Sequence, residues 1–255
     1  MRIIEAEGIS KHYGEGEALV KSVDQVSLSI QAHRITAIVG KSGSGKTTLL
    51  HILGGLEPPD AGTVRVLGRS LYELPDSRRT RFRREHIGFI FQKFQLIPEL
   101  TVRQNIRLPL EVAGKKVDRE LEAELLSLLD LEDRVDFYPH QLSGGGQQRT
   151  AIARALLVKP ELVLADEPTG NIDQEAGAAL LEFIRESHRR FGQTFVVVTH
   201  DPEVAAMAHR RILIRDGRVS EEIFQENCSG EGGGEQPEAA QGLPWKFSAE
   251  GRAEL

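Results

Sequence analysis

Ile35-Thr36-Ala37-Ile38-Val39-Gly40-Lys41-Ser42-Gly43-Ser44-Gly45-Lys46-Thr47-Thr48-Leu49-Leu50-His51-Ile52-Leu53 decides the fold of this 255-residue chain. Residues 35–39 form a continuous, mostly β-branched run, as in a strand covered on both faces. From Thr47 the composition is helical and stops near Gly54-Gly55. Between them stands the pattern GxxxxGK[ST], a phosphate-binding loop. Its glycines permit positive φ and a close approach of backbone N–H groups to an anion. The helix that follows aims its positive end at the same charge. Lys46 is expected to reach the β- and γ-phosphates of a nucleotide and the Thr47 hydroxyl to ligate Mg²⁺. Gly40, Lys41, Ser42, Gly43, Ser44, Gly45 and Thr48 complete the expected cradle for a nucleoside triphosphate.

Outward from this loop, Ile3–Glu7 and Val26–Ile30 alternate as half-buried strands and are expected to form an N-terminal antiparallel subdomain. Further buried strands are expected at Ile87–Phe91, Leu162–Ala165 and Phe195–Val198. Residues from about Leu96 to Leu131, and Gln147–Val158, read as helical. Arg211–Val219 reads as a hairpin turning on Asp216-Gly217. Strands alternating with helices imply an α/β fold with a mainly parallel core sheet.

The chain is 40% hydrophobic and 27% charged, ordinary for a globular domain. No apolar run approaches the ~20 residues that span a bilayer, and Met1-Arg2-Ile3-Ile4-Glu5 lacks a signal-peptide core; a cytoplasmic location is the expectation. The single cysteine, Cys228, excludes an internal disulfide and a cysteine metal cluster. The net charge of −6 is concentrated from Glu221 onward, where eight Glu face only Lys246 and Arg252. A near-neutral body with an acidic end does not read as a nucleic-acid binder. Residues 223–255 are expected to be a disordered acidic Gly/Glu-rich tail, carrying one short apolar patch at Leu243–Phe247. The basic run Arg78–Arg84 reads as a solvated surface helix rather than a nucleic-acid contact.

Asp166 and Glu167 leave an apolar strand together, which is costly without a cation or a task. His200 closes the last buried strand, a position where a lone histidine is usually structural.

Leu142-Ser143-Gly144-Gly145-Gly146-Gln147-Gln148-Arg149 lies between the phosphate loop and this carboxylate pair. The ordered set resembles the ATP-binding cassette (ABC) family, the motor subunits of ABC transporters, over roughly residues 1–222. The resemblance implies the phosphate-loop NTPase fold of an ABC ATPase with a helical subdomain inserted at about 93–158. It implies that Asp166 holds Mg²⁺ directly or through water, that Glu167 is the catalytic carboxylate, and that His200 is the switch histidine. Gln92 matches the Q-loop glutamine, which completes the Mg²⁺ shell or holds the water. Tyr13 matches the aromatic that stacks on adenine, and Asp173 the D-loop residue at the dimer interface. Ser143, Gly144 and Gly145 would complete the ATP site of a second copy, so the resemblance implies a homodimer with ATP between the subunits. The usual fifth signature residue is Gln where this chain has Gly146, which removes one polar side chain near that composite site.

Three stretches resemble one branch: His51–Leu56, Phe94–Thr101 and Ala165–Asp173. They are similar to the bacterial lipoprotein-release and macrolide-export ATPases, with the cell-division and peptide-antibiotic-resistance ATPases nearby. That branch implies an integral-membrane permease partner that holds the cassette peripherally at the cytoplasmic face of the inner membrane. Phe94, Leu96, Ile97 and Leu100 would receive the permease; the competing reading packs them inside the helical lobe. A translation ATPase would carry two cassettes, and a DNA-repair ATPase a coiled coil between Gly40 and Ser143; neither is present in the sequence. No residue identifies a cargo.

Overall fold

The computed structural model describes residues 1–170, 172 and 174–224, and at 17, 174–176 and 191 the backbone alone. The elements are β1 (Arg2–Tyr13), β2 (Val20–Gln31), β3 (Ile35–Val39), α1 (Lys46–Leu53), β4 (Ala61–Val66), β5 (Arg69–Ser70), α2 (Asp76–His86), β6 (Ile87–Ile90), α3 (Val102–Val112), α4 (Arg119–Leu128), α5 (Gly144–Leu157), β7 (Leu162–Asp166), α6 (Gln174–Phe191), β8 (Thr194–Thr199), α7 (Pro202–Ala206), β9 (Arg210–Arg215) and β10 (Arg218–Phe224).

The central sheet has the order β10-β9-β3-β8-β7-β6, parallel except for the antiparallel edge strand β10. Strands β3, β7 and β8 read as nearly unbroken apolar runs because both faces are covered. Successive side chains point to opposite faces, and the burial follows. Ile38, Leu162, Leu164, Val196, Val198, Ile212 and Ile214 pack toward α1 and the second sheet. Ala37, Val163, Ala165, Phe195 and Val197 pack toward α3, α4, α5 and α6. The second sheet, β2-β1-β4-β5, is antiparallel, as its alternating strands predict.

Register brings the candidate functional edge together. Val39 pairs with Thr199, Val198 with Asp166, and Ala165 with Ile90. The chain therefore leaves β3, β8, β7 and β6 at nearly the same level, and Gly40, His200, Glu167 and Gln92 emerge side by side. Open α/β sheets bind ligands at this carboxyl edge.

Local differences from the sequence reading have local causes. Leu96–Thr101 is a loop, and the helix starts at Val102 under a capping box of Thr101 and Gln104. Helix α5 starts at Gly144, three residues earlier than the periodicity suggests, because Ser143 caps it and accepts from Gly146 N–H at 3.2 Å. Strand β10 continues through Phe224, past the expected start of the tail. The basic run does form a helix, α2, with Arg79 on Asp76, Arg81 on Glu85, Arg83 on the Gly55 carbonyl and Arg84 on the Val112 carbonyl. Asp173, Cys228 and the acidic tail beyond Phe224 lie outside the described residues.

Candidate nucleotide site

The loop between β3 and α1 is shaped by close approach as much as by φ. Gly45 has φ +96°, and a Cβ there would collide with the Ser22 carbonyl; a Cβ at Gly40 would collide with the Ile214 carbonyl. Both neighbours are backbone and cannot yield, so glycine is required by packing. Ser22 Oγ in turn donates to Thr48 Oγ1 at 2.9 Å, tying the first turn of α1 to β2.

Lys46 is almost fully buried. Its Nζ donates to the carbonyls of Gly40 and Lys41, each at 2.9 Å, and stands 3.9 Å from Glu167 Oε1. The ammonium is thus held inside the curl of the loop, pointing where a phosphate chain would lie. Thr47 Oγ1 donates to Asp166 Oδ1 at 3.0 Å. Asp166 is buried, and that burial raises its pKa, opposed by the Thr47 hydrogen bond. A hydroxyl and a carboxylate converging from two elements are hard oxygen donors of the kind Mg²⁺ selects.

Glu167 adopts φ +43°, in the left-handed region that a bulky side chain seldom enters. Its N–H continues the β7–β8 ladder to the Val198 carbonyl at 2.9 Å. Strain at a charged residue fixes the carboxylate across the strand ends, where His200 Nδ1 meets Oε2 at 2.9 Å. A carboxylate only accepts, so Nδ1 carries the proton. A neutral His200 then has Nε2 as an acceptor, and donating to a γ-phosphate requires breaking this pair or a second proton. Gln92 is exposed and its amide borders Gly170, where an added Cβ would sit 3.2 Å from Nε2.

The structure thus brings together Gly40–Thr48, Asp166, Glu167, Gln92 and His200. Tyr13 stands at the end of β1, half exposed, with its hydroxyl donating to Glu57 Oε1 at 2.6 Å. Lys11 lies over the ring at 5.8 Å from its centroid. Ser143 is exposed at the head of α5, and no hydrogen bond found among the described residues joins it, Gly144 or Gly145 to the phosphate loop. Gly146 is buried, and a Cβ there would lie 3.3 Å from Leu142 Cβ, so a side chain needs only a small shift. A cleft of about 890 Å³ borders the loop between Gly40–Ser44, His200 and the β9–β10 hairpin.

Three organising residues escaped the sequence reading: Arg154, Asn105 and Glu57. Asn105 carried a usable signal, because it is polar yet sits among Val102, Ile106 and Leu110 on the apolar stripe of α3. A buried amide needs partners, and it finds them in the loop after Gln92: Oδ1 accepts from Ile97 N–H, and Nδ2 donates to the carbonyls of Ile97, Leu100 and Thr101. Of the four proposed permease contacts in that loop, Ile97 is 38% exposed and Phe94, Leu96 and Leu100 are partly buried.

A family model described as ABC transporter matches residues 23–170. The chain is 45% identical over 227 residues to a macrolide export ATP-binding/permease protein MacB of Yersinia pestis bv. Antiqua, a match covering 88% of this chain and 35% of that protein. Against MacB of Shigella flexneri the identity is 47% over 219 residues, 85% of this chain and 34% of that one. The chain therefore spans about a third of the length of these curated relatives. Among solved structures it is similar to the ATP-binding cassette MJ0796 in a dimeric post-hydrolysis state bound to ADP and Pi, with TM-score 0.81 and 38% identity, covering 87% of this chain and 98% of that one. CbiO1 of Clostridium perfringens shares the fold at TM-score 0.75 and 24% identity.

Proposed function

Because the chain belongs to the ABC transporter family and is one of its ATP-binding, ATP-hydrolysing cassettes, we propose that two copies close around two ATP molecules and pass the motion to a membrane-spanning permease. The similarity to MacB export proteins favours the export and lipoprotein-release branch, working from the cytoplasmic face of the inner membrane. No helix among the described residues is long and apolar enough to cross a membrane, which fits a cassette docked on a partner.

The observation that carries the two-copy reading is the position of Ser143. It is exposed at the N-terminus of a 14-residue helix, with its oxygen accepting from Gly146 N–H and its hydroxyl proton left to donate. Such a terminus suits an anion, yet no hydrogen bond among the described residues joins it to its own phosphate loop. A phosphate supplied by a second copy gives it a ligand.

The chemistry follows from the strand ends. Lys46 and the loop N–H groups hold the β- and γ-phosphates. Glu167 orients a water and accepts its proton as the water oxygen bonds to the γ-phosphorus and the bond to the β–γ bridging oxygen breaks. His200 and Gln92 fix the γ-phosphate and the water. Thr47, Asp166 and Gln92 would hold Mg²⁺, which supplies charge neutralisation across the phosphate oxygens when bound. Tyr13 stacks on the adenine.

Lys46→Ala tests the site. It removes a charge-assisted contact to phosphate, so ATP affinity falls about tenfold or more and turnover stops. Unchanged ATP turnover would remove the phosphate site from this loop.

A further inference from the structure

Arg154 takes no part in the chemistry above, yet it is mostly buried on α5, about three turns along from Ser143. Its guanidinium reaches across to the loop that follows Gln92: Nη2 donates to the Phe94 carbonyl at 2.8 Å and Nη1 to the Gln95 carbonyl at 2.5 Å. Among the described residues it forms no ion pair with a carboxylate, and burial lowers its pKa with no charged partner to offset it. A guanidinium without an anion is an expensive way to fill space. The two carbonyls it holds belong to consecutive left-handed residues, Phe94 at φ +55° and Gln95 at φ +51°. Neither is glycine, so the loop keeps this shape against its own backbone preference. The planar fork of arginine fits two adjacent carbonyls, as a lysine ammonium does not. From the other side the loop is held by Asn105 on α3, whose apolar face packs in the same core as Ile152 and Leu156 of α5.

We propose that Arg154 is a positioning residue: it latches the loop carrying Gln92 to the helix that presents Ser143, so that the loop sensing one γ-phosphate and the helix offered to the other copy's ATP move as one body. This rests on the two-copy reading. The latch joins the two halves of the composite mechanism within a single chain, and the strained turn at Phe94–Gln95 is the part that gives way when they uncouple.

The test uses the full chain carrying Glu167→Gln, with ATP-driven dimerisation read by sedimentation and monomer affinity read with trinitrophenyl-ATP at low protein concentration. Arg154→Lys should raise the ATP concentration for half-maximal dimerisation about tenfold, the loss expected for one charge-assisted hydrogen bond, while monomer affinity stays within about twofold. Gln95→Gly added to Arg154→Lys should restore much of the loss, because glycine adopts the left-handed turn without strain. Gln95→Pro should reproduce the defect with α5 untouched, since proline excludes φ +51° and disfavours the left-handed residue before it. An unchanged dimerisation midpoint in Arg154→Lys and Gln95→Pro overturns the latch. So does a loss shared equally by affinity and dimerisation that Gln95→Gly does not rescue, which marks a packing role in α5. A parent chain that stays monomeric at saturating ATP overturns the two-copy reading and the latch with it.

Discussion

Glu167 and His200 are bonded across the ends of β7 and β8, with Oε2 of one 2.9 Å from Nδ1 of the other. The same carboxylate stands 3.9 Å from the Lys46 ammonium. The candidate base, the candidate γ-phosphate contact and the phosphate-loop lysine thus form one charge-linked row before any nucleotide is considered. Closing on ATP must exchange some of these contacts for phosphate, and the variants below separate the exchange into its parts.

Asp166 costs the fold stability in its ionised form. Burial raises its pKa above 3.8, so the folded state binds the proton more tightly than the unfolded chain. The ionised group therefore costs stability at neutral pH, and the cost is relieved as pH falls through the raised folded pKa. Asp166→Asn keeps an oxygen for the Thr47 hydroxyl and removes the charge. The nucleotide-free protein should melt about 2–4 °C higher, while ATP turnover falls about 10²-fold or more. Scanning calorimetry and a phosphate-release assay check the two halves.

At the opposite end of the sheet the pH response has the other sign. His209 Nδ1 accepts from Ile35 N–H at 3.1 Å, and its ring lies 5.0 Å from that of His188. Burial, with His188 and Arg34 nearby, lowers the His209 pKa from 6.5 to about 4, and burial with Arg34 and His33 lowers His188 as well. A histidine depressed in the folded state contributes stability above its unfolded pKa and loses it as pH falls from about 6.5 to about 4. After discounting for partial exposure the His209 share is about 1–2 kcal/mol. His209→Asn keeps an acceptor for Ile35 and removes the titration. Its melting temperature should fall less steeply over that window than that of the parent; parallel curves would assign the acid sensitivity elsewhere.

Ile97 is the most exposed apolar side chain of the loop held by Asn105 and Arg154. Ile97→Glu should leave ATP turnover of the isolated cassette within about twofold, as a surface change does, and abolish co-purification with a co-expressed permease. Retained co-purification would move the docking surface away from this loop, and a collapsed melting temperature would make Ile97 core.

The sequence made the candidate catalytic edge legible because three of its residues directly follow a strand with an unmistakable apolar run. Gly40 follows Ile35–Val39, Glu167 follows Leu162–Asp166, and His200 follows Thr194–Thr199. What pairs those strands into one level edge is register, which no local pattern encodes. Strands β4 and β5 were missed because Ala61-Gly62-Thr63 is exposed and weakly apolar, and β5 is only two residues long. Arg154 was invisible for a different reason: its partners are backbone carbonyls 59 and 60 residues away, and a carbonyl leaves no mark in a sequence. The head of α5 shows capping overriding propensity, since three glycines open a helix that Ser143 nucleates.

Glu167→Gln tests the central claim most directly. The change preserves shape while removing the proposed base and one negative charge beside Lys46 and His200. With ATP and Mg²⁺ the variant should bind nucleotide, hydrolyse it at least about 10²-fold more slowly, and run on size exclusion as a dimer that reverts to monomer when ATP is withdrawn. A variant that turns over ATP at the parent rate, or that stays monomeric at saturating ATP, would contradict the account.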